Sequence, residues 1–174
     1  MTNFEILGQL FGVISLIIVV VAYQVKDTRK TSLLMAPGDF FYGLQYYFLG
    51  SPSSFYIMLV ATLRDLAGAA ASDRVMRYVS FFYIGIVWIL AFFKAEVPME
   101  YLPPLGTTLA TMALVKRDSF YSFRGFIFLH HIVWMSFNIW IMSYAGILQI
   151  CFTGSSNIIG FLRHHKTKTV PVDL

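Results

Sequence analysis

The sequence predicts an all-α membrane protein with seven transmembrane helices. Of the 174 residues, 57% are hydrophobic and 13% are charged, and the mean hydropathy is +0.68. Soluble domains contain about 45–50% apolar and about 25% charged residues, so this composition is typical of a different class. A transmembrane helix needs about 20 mostly apolar residues, and the chain offers such runs almost from end to end. The distribution of basic residues is the third observation and also predicts the orientation.

Seven apolar segments are short but sufficient to cross a bilayer at a rise of 1.5 Å per residue. The predicted spans cover about residues 6–24, 33–50, 54–70, 75–93, 100–115, 124–142 and 144–162. The connections between them are short, namely VKDTRKTS, SPS, the stretch around SDR, KAEVPME, KRDSFYS and SYAG. We therefore expect a compact bundle in which sequence neighbours pack antiparallel.

The spans differ along the chain. The first has no proline, whereas the second carries Pro37 near its start, and the third follows the tight turn SPS. The fourth is nearly all apolar, with Ser80 and the hydroxyl of Tyr83 as exceptions, which suits a lipid-facing linker. The fifth begins with the pair Pro103-Pro104, the sixth is long and aromatic, and the seventh follows the short turn SYAG.

Basic residues predict the orientation of the bundle. Alternate connections hold Lys26, Arg29, Lys30, Arg64, Arg74, Arg77, Lys116, Arg117, Arg124, Arg163, Lys166 and Lys168. The opposite side holds only Lys94. Because cytoplasmic loops of membrane proteins are enriched in Lys and Arg, the N-terminus is expected outside and the C-terminus in the cytoplasm. An even number of spans would scramble this asymmetry.

Several function classes are not expected. The N-terminal residues lack a basic region and a small-residue cleavage site, so no removable signal peptide is predicted. The single Cys151 rules out an intramolecular disulfide framework and a cysteine-based metal site. No nucleotide-binding, metalloprotease or hydrolase motif is present, so we expect no cofactor and no metal. The net charge of +4 sits at helix ends, where topology explains it better than nucleic-acid binding does.

An internal repeat is predicted when the second half is offset by about 92 residues. This offset places Asp39 on His131, Tyr42 on Trp134, Tyr46 on Asn138, Ser51 on Ser143 and Asp65 on Asn157. The predicted units are a three-helix repeat at 1–72, a linker helix at 73–97, a second three-helix repeat at 98–163 and a cytoplasmic tail at 164–174. In this 3-1-3 arrangement the repeats are parallel, and transporters so built place their site between the repeats, near the midplane.

The 3-1-3 plan and several short motifs carry a resemblance to known families. The loop KDTRKT before a second helix with a proline resembles the SWEET/MtN3 and PQ-loop superfamily of small-solute transporters. The runs YYFLGS at 46–51, LPPLGT at 102–107 and NIIGFLR at 157–163 are similar to YgjV-type bacterial inner-membrane proteins. The resemblance implies a multi-pass protein of the bacterial inner membrane. The chain has Pro37-Gly38 where the PQ-loop pattern has Pro-Gln.

Two polar and aromatic stripes are the leading candidates for a binding site. Asp39, Tyr42, Gly43 and Tyr46 have i, i+3, i+4, i+7 spacing and so share one helix face. The matching face of the sixth span holds His131, Trp134, Met135 and Asn138. A buried Asp costs roughly 2.5–3.5 kcal/mol at a membrane helix centre, so Asp39 is a functional candidate. The alternative is that Asp39 caps a broken helix or reaches interfacial water.

Other polar residues leave two readings open. His131 either lines the pathway, where it can change protonation, or joins His130 in plain hydrogen bonds between helices. We expect Arg64 to extend towards the interface, with an intramembrane ion pair to Asp65 at a gate as the alternative. Asn157 is either interhelical glue or, as the SWEET resemblance implies, a substrate-binding residue.

Prolines and glycines mark candidate hinges. Pro37 and Gly38 lie near the predicted cytoplasmic mouth, and Pro103 and Pro104 open the fifth span. A proline inside a helix frees a backbone carbonyl and permits bending where neighbours or water satisfy that group. A fixed kink without motion is the alternative.

The leading hypothesis is a SWEET-like transporter of a small, mostly neutral polar solute by alternating access. We expect the site to comprise Asp39, Tyr42, Tyr46, His131, Trp134, Asn138 and Asn157. Its partners are the lipid bilayer and the solute, with a homo-oligomer left open. The alternatives are a structural or assembly protein whose polar residues hold helices together, and an intramembrane enzyme using a histidine with Asp39. No catalytic nucleophile accompanies those residues, so an enzyme is not expected.

Overall fold

A computed structural model describes residues 2–25, 27–116 and 119–169, with side chains except those of 28, 73, 160 and 163–169. All regular secondary structure in these ranges is helical, so the predicted all-α fold is confirmed. The α-helices are α1 (Asn3–Ala22), α2 (Thr28–Phe48), α3 (Pro52–Ala70), α4 (Asp73–Lys94), α5 (Leu102–Val115), α6 (Phe120–Trp140) and α7 (Tyr144–Thr169). A 3-10 helix, Pro98–Tyr101, leads into α5. Lys26, Arg117 and the end of the predicted tail, 170–174, lie outside the described residues.

Local sequence signals set where the helices begin. Thr2 and Glu5 form a capping box at the start of α1, with hydrogen bonds of 2.8 and 3.2 Å. Asp27 caps α2 by accepting from the backbone N–H of Lys30 at 3.0 Å, and such backbone hydrogen bonds hold the pKa of the Asp27 carboxyl below its usual value. This cap starts α2 more than one turn before the predicted span. At the other end of the chain, α7 runs past the predicted span to Thr169.

The helices α2 and α6 have the same length and boundaries that differ by 92 in residue number. In both cases the second residue after the helix has a positive φ, which is 88° at Gly50 and 56° at Met142. The next residue, Ser51 or Ser143, closes the same six-residue hydrogen-bonded turn at 2.9 Å. The two helix ends therefore have one backbone geometry, although their residues differ.

Helices that follow one another in the sequence pack against each other, and further contacts join the two halves of the chain. In the first half α1 and α3 both pack on α2, and in the second α5 and α7 both pack on α6. Contacts of α1 with α7 and of α3 with α5 join the halves, while α4 packs on α3 and α5. The core lies between α2, α3, α6 and α7 and contains Tyr42, Tyr46, Met58, Ala61, Trp134, Phe137 and Ile150.

The surface of the bundle is rich in exposed apolar side chains, including Phe82, Phe92 and Phe93 of α4, which are 67–75% exposed. Among the residues that the structure describes, two helices are by themselves long and apolar enough to cross a membrane, Asn3–Ala22 with mean hydropathy 2.4 and Arg74–Lys94 with 1.8. These are the first and fourth predicted spans. The other five spans, the parallel repeats and the orientation of the termini stay predictions.

Candidate functional site

The two predicted stripes on α2 and α6 face each other in the structure. Tyr46 is fully buried and stacks on Trp134 with ring centroids 5.5 Å apart and planes inclined by 15°. The ring of Tyr42 lies 5.9 Å from the same indole. Asp39 and His131 occupy equivalent positions at one end of the two stripes, and both are buried. The helical spacing seen in the sequence therefore corresponds to one shared interface.

A buried hydrogen-bonded triad closes one end of this interface. Tyr46 Oη donates to Asn138 Oδ1 at 2.9 Å, and Asn138 Nδ2 donates to Tyr42 Oη at 2.9 Å. All three side chains are at most 4% exposed. A buried polar network whose members are all paired holds its helices in one arrangement. The triad therefore fixes the relative position of α2 and α6.

A charged cluster lies beside the stripes. Arg64 Nε donates to Asp65 Oδ1 at 2.9 Å, and its Nη2 lies 2.8 Å from the same oxygen and 3.9 Å from Asp39 Oδ2. Arg64 Nη1 also donates to Thr111 Oγ1 on α5 at 3.3 Å. Arg64 is only 9% exposed, so the expectation that it extends to the interface was wrong. The nearby carboxylates hold its side chain inside the bundle, where one guanidinium faces two carboxyl groups.

A cavity of about 90 Å³ lies between the stripes and this cluster. Six of the seven α-helices contribute to its wall, and its polar and aromatic lining includes Asp39, Tyr42, Arg64, Thr107, His131 and Trp134. Pockets for small molecules have volumes of about 300–1,000 Å³, whereas one water occupies about 30 Å³ of liquid. In this conformation the cavity fits a few waters or a small ion.

The two adjacent histidines have different environments. His130 Nδ1 donates to the backbone oxygen of Gly106 on α5 at 2.8 Å, as the plain hydrogen-bonding interpretation predicts. His131 Nδ1 is buried and has no hydrogen-bond partner among the described residues.

The close approach of α5 to α6 depends on Gly106, because a Cβ atom at this position would lie 2.5 Å from Trp134 Nε1. Glycine therefore lets α5 approach α6 closely enough to form the cavity wall.

Asn157 lies apart from the cavity. It accepts a hydrogen bond from Arg124 Nη1 at 2.9 Å and donates to the Arg124 backbone oxygen at 3.3 Å. These contacts tie α7 to α6. The structure therefore brings six of the seven predicted binding residues into one interface and leaves Asn157 outside it, and their roles stay predictions.

The candidate hinges are placed differently from one another. Pro37 is exposed inside a continuous α2, while Gly38 is buried and accepts from Ser15 Oγ through its backbone oxygen at 2.8 Å. Pro103 and Pro104 lie in the first turn of α5, where a backbone N–H has no helical partner to lose. The mechanism expected for that pair, a freed carbonyl inside a helix, therefore does not apply. All hinge and gating roles stay predictions.

Sequence reasoning missed a set of polar contacts at the end of the bundle where α2 and α6 terminate. Glu100 is buried and accepts from Ser51 Oγ at 2.8 Å and from the backbone N–H of Glu96 at 2.8 Å. Gln45 Nε2 donates to Ser143 Oγ at 2.7 Å. Glu100 was predicted at the boundary between a connection and the fifth span, and Gln45 lies beside aromatic residues on another face of α2. A polar residue inside an aromatic run is the signal that marks Gln45.

Comparison with known proteins identifies a family but no relative of known structure. No curated protein and no solved structure matches the chain significantly. The SWEET and PQ-loop resemblance accordingly stays a prediction. One family model, Imp-YgjV, described as bacterial inner membrane protein, matches residues 6–168 and so covers nearly the whole chain. The chain therefore belongs to the Imp-YgjV family of bacterial inner membrane proteins.

Proposed function

We propose that the protein is a transporter that moves a small, mostly neutral polar solute across the inner membrane by alternating access. The observation that carries the proposal is the cavity inside the bundle that is bordered by three buried ionisable side chains, Asp39, Arg64 and His131. Ionisable groups are expensive at membrane depth and mark substrate or ion pathways. Three such groups around one cavity are more than helix packing requires.

The proposed topology has seven spans in two parallel three-helix repeats joined by α4, with the N-terminus outside. The matched boundaries of α2 and α6, and the reciprocal contacts of α1 with α7 and α3 with α5, support it. The exposed apolar face of α4 supports its position as a lipid-facing linker. Under this topology the cavity lies between the repeats, where transporters of this kind hold their solute.

The small cavity constrains how transport occurs. A volume of about 90 Å³ is too small for an ordinary organic solute. The structure then corresponds to a closed conformation that widens when one end of the bundle opens. Because Asp39 and Asp65 share one guanidinium, a proton or small cation on Asp39 would balance the charge of the closed state.

A structural or assembly role is the second candidate. The same small cavity and the fully paired triad of Tyr42, Tyr46 and Asn138 favour it, because both fit polar residues that only fix helix positions. An intramembrane enzyme is a weaker third, since no serine or cysteine bonds either His130 or His131 in the described part of the chain.

The test is uptake by proteoliposomes containing the purified protein, with a panel of labelled small polar solutes. We expect Asp39→Asn to abolish or change uptake of the transported solute. Asp27→Asn is the matched control, because asparagine caps a helix as well as aspartate and Asp27 is exposed. Folded protein that moves no solute, or equal uptake by the two variants, would contradict the proposal and favour the structural role.

A further inference from the structure

A second cavity, which shares His131 and Ile150 with the lining of the first, lies between α6 and α7. It has a volume of about 360 Å³ and opens onto the exposed surface of the bundle. Its lining is mainly apolar and includes Phe128, Ile132, Met135, Ile150 and Ile158. We call this cavity the α6–α7 groove. Its volume falls within the range of about 300–1,000 Å³ that small-molecule pockets occupy.

The groove exists because α6 and α7 pack less closely than the corresponding pair α2 and α3. On α2, a Cβ at Gly43 would lie 3.0 Å from Met58 Cβ, so glycine lets α2 and α3 touch. The residue 92 positions later is Met135, whose side chain lines the groove. The position that glycine occupies on α2 thus carries a longer side chain on α6, where the two helices pack less closely.

One buried polar atom beside the α6–α7 groove has no partner among the described residues. His131 is only 7% exposed, and its Nδ1 has no hydrogen-bond partner among the described residues. That nitrogen lies 3.8 Å from the position a Cβ would take at Gly154, which also lines the groove. Buried polar atoms of proteins are almost always hydrogen-bonded. A ligand that supplies the missing hydrogen bond therefore has a defined place to bind.

We propose that the α6–α7 groove binds a bilayer-dissolved molecule with an apolar body and one hydroxyl group, which pairs with His131 Nδ1. A hydroxyl both donates and accepts, so it suits either tautomer of the imidazole. The apolar side chains match the body of the ligand, and binding requires the imidazole to turn its buried Nδ1 into the groove. The proposal rests on the membrane embedding of α6 and α7 but not on transport.

His131 links this groove to the central cavity, because its side chain lines both. A ligand bound in the groove therefore acts on the same imidazole that borders Asp39 and Trp134 across the first cavity. Through this shared side chain, a membrane-dissolved molecule in the groove would influence the proposed transport site without entering it.

The test is photolabelling of the full-length protein in lipid vesicles with a diazirine-bearing octanol and with the diazirine octane that lacks the hydroxyl. We expect the alcohol to label peptides that line the groove, including the one with Cys151, and 1-octanol to suppress this labelling at least several-fold better than octane. The hydrocarbon probe is expected to label the exposed apolar surface without preference. Identical patterns for the two probes would overturn the proposal.

Two substitutions at one position sharpen the test. Gly154→Ser places a hydroxyl beside His131 Nδ1, so the chain supplies its own partner and alcohol labelling falls several-fold. Gly154→Ala adds the same Cβ without the hydroxyl, in ordinary van der Waals contact, and should retain labelling. Equal losses in the two variants would attribute the effect to bulk and refute pairing with His131. The labelling needs no transported solute, so failure of uptake leaves its outcome unchanged.

Discussion

Removal of the Arg64 guanidinium is the most direct test of the buried charged cluster. Arg64→Met keeps a side chain of similar length but deletes the charge that contacts Asp65 at 2.8 and 2.9 Å and faces Asp39 at 3.9 Å. Two carboxyl groups then remain buried without a positive partner. Breaking a buried ion pair by removing one member costs about 3–5 kcal/mol. At about 2–4 °C per kcal/mol for a chain of this size, the melting temperature should fall by about 6–20 °C.

The assay is thermal unfolding of the purified protein in one detergent, followed by circular dichroism. Arg74→Met is the matched control, because Arg74 is exposed near the start of α4 and its loss should change the free energy of unfolding by no more than about 0.5 kcal/mol. The double variant Arg64→Met with Asp65→Asn should recover part of the loss, since one unpaired carboxylate is gone. Equal melting temperatures for Arg64→Met and Arg74→Met would refute the buried cluster.

Two further substitutions test the packing of the stripes. Tyr46→Phe removes the hydroxyl that donates to the buried asparagine of α6 and should cost about 0.5–1.5 kcal/mol, while Tyr47→Phe, on an exposed neighbour, should cost less than about 0.5 kcal/mol. A similar loss from both would show that the hydroxyl is not buried. Gly106→Ala forces a methyl group against Trp134 and should destabilise by about 1–3 kcal/mol, measured by the same unfolding assay. Gly85→Ala meets nothing within 4 Å and should be neutral or stabilising, so equal effects of the two alanines would contradict the close approach of α5 to α6.

The positions of the helices and the residues that share one helix face could be predicted from the sequence, because both follow from local patterns. The apolar runs predicted helices close to those observed, and i, i+3, i+4, i+7 spacing placed Asp39 beside Tyr42 on a buried face. The cap formed by Asp27 was not used, so the start of α2 was predicted too late. The sequence therefore predicted correctly that these residues, one or two turns apart, share a buried helix face.

Contacts between residues far apart in the chain were harder to predict from the sequence. The sequence offered the adjacent Asp65 as an alternative partner of Arg64, but no local pattern reports Asp39 of α2, the second carboxyl group beside the guanidinium. Asn157 bonds Arg124 across 33 positions and lies away from the cavity. The α6–α7 groove depends on how far apart two helices pack, which follows from the full set of side chains between them.

The turn at Met142 has a consequence for how the two predicted repeats are compared. An L-residue other than glycine costs roughly 1–2 kcal/mol in the left-handed region, yet the hydrogen bonds around Met142 reproduce those around Gly50. The two positions differ in residue type, although the backbone has the same conformation at both. Comparison of the two predicted repeats by backbone torsion angles therefore finds a likeness at this turn that comparison by residue type misses.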